Sequence, residues 1–87
     1  MVSYNKEIRN RILISVYAYA YEFLNESLID DYEYDNLAQE IDVNISTNNM
    51  MLDKFFRDCY VSYSGSWILN HPEIEKIREI YNKYFKR

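Results

Sequence analysis

A small all-α bundle of about four helices, with one short irregular or hairpin segment near residues 60–70, is the fold this sequence predicts. Apolar residues recur at three- and four-residue spacing over four segments. Recognisable helix-start residues stand ahead of those segments. The one glycine, Gly65, and the one proline, Pro72, fall between segments or at the edge of one, so no helix interior is broken.

The first helix is predicted from about Asn5 to about Leu24, capped by Ser3 or Asn5. Ile8, Ile12, Leu13, Val16, Tyr19, Ala20, Phe23 and Leu24 form its core face, with Lys6, Arg9, Asn10 and Arg11 mostly off it. The second helix has the clearest start. Asp30 and Glu33 sit at the positions of a reciprocal capping box, and Ile29 and Tyr34 at those of a hydrophobic staple. Tyr34, Leu37, Ala38 and Ile41 then continue one face, and the short connection predicts an antiparallel pair.

A third helix, about 48–60, carries Met51, Leu52, Phe55, Phe56 and Cys59, with Ser46, Thr47 and Asn48 as alternative caps. From Tyr60 to Leu69 the pattern alternates, and Ser64-Gly65 suits a turn; the segment reads as a loop or small hairpin anchored by Trp67. The fourth helix, about 72–86, opens at His71-Pro72-Glu73 with His71 as cap. Its stripe is Ile74, Ile77, Tyr81, Tyr84 and Phe85, and Lys83, Lys86 and Arg87 suit its negative end.

Eighty-seven residues hold one domain, 1–87, because a chain of this size cannot bury two cores. Ten Tyr, four Phe and one Trp supply enough large side chains for a centre without metal or disulfide. A single Cys and a single His cannot form a Cys/His zinc site, and no apolar run reaches membrane-spanning or signal-peptide length. The expectation is a cytoplasmic protein, with no membrane association. A formal charge of -4 argues against a general nucleic-acid binder. The aromatic helix faces suit a monomer or a weak homodimer.

Tyr17 to Leu37, YAYAYEFLNESLIDDYEYDNL, is the most informative stretch. Tyr17, Tyr19 and Tyr21 are spaced along the end of the first helix, and Asp31, Glu33, Tyr34 and Asp35 spell Asp-x-Glu-Tyr-Asp, with Tyr21 ten residues before Asp31. This pattern, over about residues 8–42, resembles the first subdomain of NAD-dependent DNA ligases. The resemblance implies that Tyr21, Asp31, Tyr34 and Asp35 surround a nicotinamide and its ribose, with NAD or nicotinamide mononucleotide (NMN) as ligand. An aromatic face suits the cationic ring, and carboxylates accept from ribose hydroxyls. Glu22 stands where the family has His or Tyr, and Ser27 and Asp30 replace a loop proline.

No lysine motif for nucleotidyl transfer, OB-fold or zinc module accompanies the pattern, so the chain is expected not to be an enzyme. In a chain this short, acidic and rich in Tyr and Asn, the resemblance implies a stand-alone ligase-related protein of phage or prophage type. Two functions follow as expectations: a non-catalytic helical module that binds another protein, or a module that retains the NAD/NMN pocket.

The same residues also have a purely structural account, with Asp30 and Glu33 as caps, Tyr19 or Tyr21 as core, and Asp31 and Asp35 as solvated first-turn acids. Two further constellations are weaker. Cys59 with His71 has the residue types of a nucleophile and base, but Cys59 falls on an apolar stripe. Trp67, Tyr60 and Tyr63 beside Lys54 and Arg57 have those of a base-stacking surface, but a core-anchoring Trp explains them as well.

Overall fold

The computed structural model describes residues 4–86. Within them lie four α-helices and no strand: α1 (Tyr4–Leu24), α2 (Asp31–Glu40), α3 (Met50–Cys59) and α4 (Ile74–Ile80). A 3-10 helix (Ser66–Asn70) precedes α4, and a π-helical turn (Tyr81–Phe85) continues it. The segment near 60–70 is therefore a turn followed by a 3-10 helix rather than a hairpin. Trp67 anchors it as expected, 4% exposed and packed among Phe55, Phe56 and Tyr60.

At 21 residues, α1 is about 31 Å long and spans nearly the whole 34 Å extent of the molecule. It touches α2, α4 and the 3-10 helix. Because neighbours lie on several sides, its middle is buried around much of its circumference, at Ile14, Ser15, Val16, Ala18, Tyr19 and Ala20. This corrects the single stripe read from spacing. Ile12, Phe23 and Leu24 are partly exposed, whereas Asn10 and Arg11, expected off the core face, are buried. The expected cap Ser3 lies outside the described residues, and Asn5 falls inside α1.

Arg11 is the hub of a buried ionic centre. Arg11 Nε donates to Glu7 Oε2 at 2.6 Å, Nη1 to Asp53 Oδ1 at 2.8 Å, and Nη2 to the carbonyls of Asp42 and Ile45. Glu7 accepts the Asp42 amide, while Asp53 accepts the amide and hydroxyl of Thr47. The guanidinium also lies 4.9 Å from the centroid of the Phe56 ring. Burial alone would push the Asp53 carboxyl up, but hydrogen bonds from Thr47 and Arg11 outweigh it and hold the group below the usual range. No buried side-chain polar atom among the described residues lacks a partner.

Helix α1 ends where Asn25 adopts a left-handed φ of 54° and the Glu26 amide reaches back to the Ala20 carbonyl. Asp30 caps α2 as expected, accepting the Glu33 amide at 2.8 Å, but only this forward half of the capping box is formed. Helix α2 runs back along α1, so that Lys6 meets Glu40 and Glu7 meets Asp42. Ala38 is buried, and Tyr34, Leu37 and Ile41 are half-buried against the core.

The cap of α3 is Asn49, not one of the three residues before it. Its side chain accepts the Leu52 amide and donates to Glu73, tying the starts of α3 and α4 together. Met51 and Cys59 are exposed, so the buried part of α3 is Asp53, Phe55 and Phe56. Helix α4 begins at Ile74, two residues later than read from Pro72. His71 nevertheless caps the turn before it, its Nδ1 accepting the Glu73 amide at 3.0 Å. The π turn adds a residue to the helical repeat, so Tyr81 is buried, Phe85 half-buried and Tyr84 exposed. Arg87 lies outside the described residues.

Two stability tests follow from these contacts. Arg11→Leu leaves two buried carboxylates without their cation and should cost about 3–5 kcal/mol in urea unfolding. Burial depresses the His71 imidazole from 6.5 to about 4, only partly opposed by the charge of Glu73. Because folding lowers this pKa, its stabilising effect is complete above 6.5 and drains away as pH falls towards 4. The loss should reach roughly 2 kcal/mol after allowance for solvent. His71→Asn, which retains an acceptor for the Glu73 amide, should flatten that limb of the stability–pH curve.

Candidate functional site

The second half of α1 carries tyrosines at every other position from Tyr17 to Tyr21, and a helix separates them by face. Tyr17 and Tyr21, four residues apart, point the same way. Tyr19 falls on the opposite side, 4% exposed, stacked on Phe23 at 5.0 Å and accepting from Arg78 Nε at 3.3 Å. The tyrosine pattern thus divides into a core residue and two residues facing a cleft.

That cleft has a volume of about 390 Å3. Tyr17, Ala18, Tyr21 and Glu22 of α1 form one wall, the loop from Ser27 to Ile29 a second, and Asp31, Tyr34 and Asp35 of α2 a third. Tyr63, Ser64 and Gly65 close it from the turn before the 3-10 helix. All four residues named from the sequence, Tyr21, Asp31, Tyr34 and Asp35, therefore line one concavity. Tyr17 and Glu22, noted beside them, line it too.

The wall formed by residues 63–65 was not legible in advance. Ser64-Gly65 announces a turn, but nothing in its pattern says which helix it covers. Gly65 lies against α1, where an added Cβ would sit 3.5 Å from the Ala18 Cβ and 3.4 Å from the Tyr34 hydroxyl. Trp67 holds the turn down, its Nε1 donating to the Ser64 carbonyl at 2.8 Å, and the Tyr34 hydroxyl points at the same carbonyl at 3.4 Å.

Comparison with protein-family models, curated proteins and solved structures finds no match for this chain. The likeness to the ligase subdomain rests on the quoted residues alone.

Electrostatically the cleft is one-sided. Glu22, Asp31 and Asp35 contribute three carboxylates, and among the described residues no Lys, Arg or His lines it. Burial pushes the Tyr34 phenol up to about 12; the neighbouring Trp67 indole works against the rise, and the charges of Glu22 and Asp35 add to it. Tyr34 is thus a neutral hydrogen-bond donor at physiological pH. At the positive end of α2 the Asp30 carboxylate takes the Glu33 amide, and Asp31 and Glu33 add negative charge to the first turn. The arrangement suits an apolar or aromatic body bearing positive charge.

The other constellations separate. Cys59 is exposed at the end of α3, while His71 is buried against Phe55 with Nδ1 occupied by a backbone amide. Trp67 is a core residue, so the aromatic surface read around it is not an open stacking platform. Among the described residues no group of three or more His, Cys, Asp or Glu is placed to hold a metal. No helix among them is long and apolar enough to cross a membrane. Trp67→Phe should retain the ring packing, lose the bond to Ser64 and cost about 1–3 kcal/mol in urea unfolding. The amide signals of Ser64 and Gly65 should shift most.

Proposed function

We propose that this chain is a small, non-catalytic interaction module related to the NMN-binding subdomain of NAD-dependent DNA ligase, and that the α1–α2 cleft is its protein-binding site. The observation that carries this reading is the composition of the cleft: tyrosines and carboxylates, with no basic side chain among the described residues. Tyrosine offers a rigid contact surface with a polar tip, the residue type enriched where proteins meet. A phosphate would face the carboxylates of Glu22, Asp31 and Asp35, which repel it. Its phage- or prophage-type and cytoplasmic character belongs to the same proposal.

One observation favours a second reading, a module that binds NAD or NMN. Tyr21, Asp31, Tyr34 and Asp35, chosen from two separate stretches, converge on one cleft within the size range that holds small ligands. A pyridinium ring on Tyr21 and ribose hydroxyls on Asp31 or Asp35 are chemically sound in this setting.

A two-dimensional amide NMR titration with NMN separates the two. The interaction reading expects spectra that stay unchanged at millimolar NMN. Saturable shifts at Tyr21, Asp31, Tyr34 and Asp35, abolished by Tyr21→Ala, would replace it with the nucleotide reading.

A further inference from the structure

We infer that the α1–α2 cleft receives an arginine side chain of a partner protein. This inference rests on the reading of the cleft as a protein-binding site and specifies the group that enters it. The cavity of about 390 Å3 lies at the small end of the range for ligand sites, suited to one side chain and its adjoining backbone. Its tyrosines come from three elements, Tyr17 and Tyr21 from α1, Tyr34 from α2 and Tyr63 from the turn, and Tyr21 and Tyr63 are 57% and 85% exposed. These rings offer open aromatic surface to an incoming group.

Charge determines what that group is. Glu22, Asp31 and Asp35 bring three negative charges to the lining, and among the described residues no side-chain cation joins them. Among the described residues, neither Glu22, Asp31 nor Asp35 takes part in an ion pair. A neutral apolar group would leave this charge uncompensated, and an anion would be repelled. A guanidinium meets both features: it is weakly hydrated, stacks flat on an aromatic ring, and forks to carboxylates with paired N–H groups. An ammonium is a strongly hydrated point charge and uses the aromatic walls less well. The net charge of -4 favours approach of a basic segment over long range.

The test is an amide NMR titration of the intact chain with a capped peptide, Ser-Gly-Arg-Gly-Ser. The same peptide with citrulline, a neutral isostere, in place of arginine runs in parallel, and NMN forms a third arm. The expected result is saturable shifts at Tyr21, Glu22, Asp31 and Asp35 with the arginine peptide. Citrulline should bind about tenfold or more weakly. Salt should weaken the arginine complex, and Glu22→Gln, a change at an exposed position, should weaken it several-fold. Equal binding of both peptides at the cleft would overturn the arginine inference and leave the cleft as a protein-binding site. Shifts from NMN with none from either peptide would overturn both statements, as would no response at the cleft to any of the three.

Discussion

Arg11 sits where three parts of the chain that share no regular hydrogen bonding must be joined. Its guanidinium bonds to Glu7 one turn earlier in α1, to the carbonyls of the 42–45 loop, and to Asp53 in α3. The loop from Asp42 to Asn49 has little apolar content and would wander if solvated alone. Because its carbonyls and the Thr47 amide are consumed by Arg11 and Asp53, its path is determined, and so is the point at which α3 starts. A buried ion pair is weak evidence for net stability, since desolvation offsets most of the attraction. Its effect here is on specificity. Only one register of α3 against α1 satisfies every member, and that register places Phe55 and Phe56 where Trp67 and His71 pack.

The cleft inherits its shape from this centre through a chain of contacts. Phe56 and Tyr60 hold Trp67, Trp67 holds the Ser64 carbonyl, and the backbone at Gly65 rests on Ala18. One wall of the concavity is therefore attached to the far side of the molecule, while the other walls are local to α1, α2 and the loop between them. Carboxylates are concentrated on the local walls, and the attached wall supplies Tyr63. The electrostatic character and the geometry of the site have separate structural origins.

What was legible in the sequence follows the same division. Local chemistry was readable: Asp30 caps α2, Tyr34 to Ile41 form its inner face, and Tyr21, Asp31, Tyr34 and Asp35 come together because a helix, a short loop and a helix bring them there. Features decided by partners far along the chain were not. Arg11 reads as a surface residue until Asp53 faces it. Cys59 reads as core by spacing, yet α3 is buried only as far as Phe56, and its last turn is open. The alternation from Val61 to Leu69 resembles a strand pattern, but an isolated hairpin has no neighbour to pair with, and a 3-10 helix buries Trp67 and Ile68 instead. The π turn that turns Tyr84 outward has no signature in side-chain spacing.

The central position of α1 has a consequence for the order in which the chain can fold. Its buried residues wait for partners that arrive much later: Arg11 for Asp53, Tyr19 for Arg78, and Glu26, just past its end, for Tyr81. A ribosome delivers α1 first, so the helix that makes most of the contacts emerges with none of them available. The pair of α1 and α2 alone cannot shield the apolar side of α1 that α4 covers. Until the codons for α4 have been read, that side stays exposed in the nascent chain, and the core closes only once its last helix has been made.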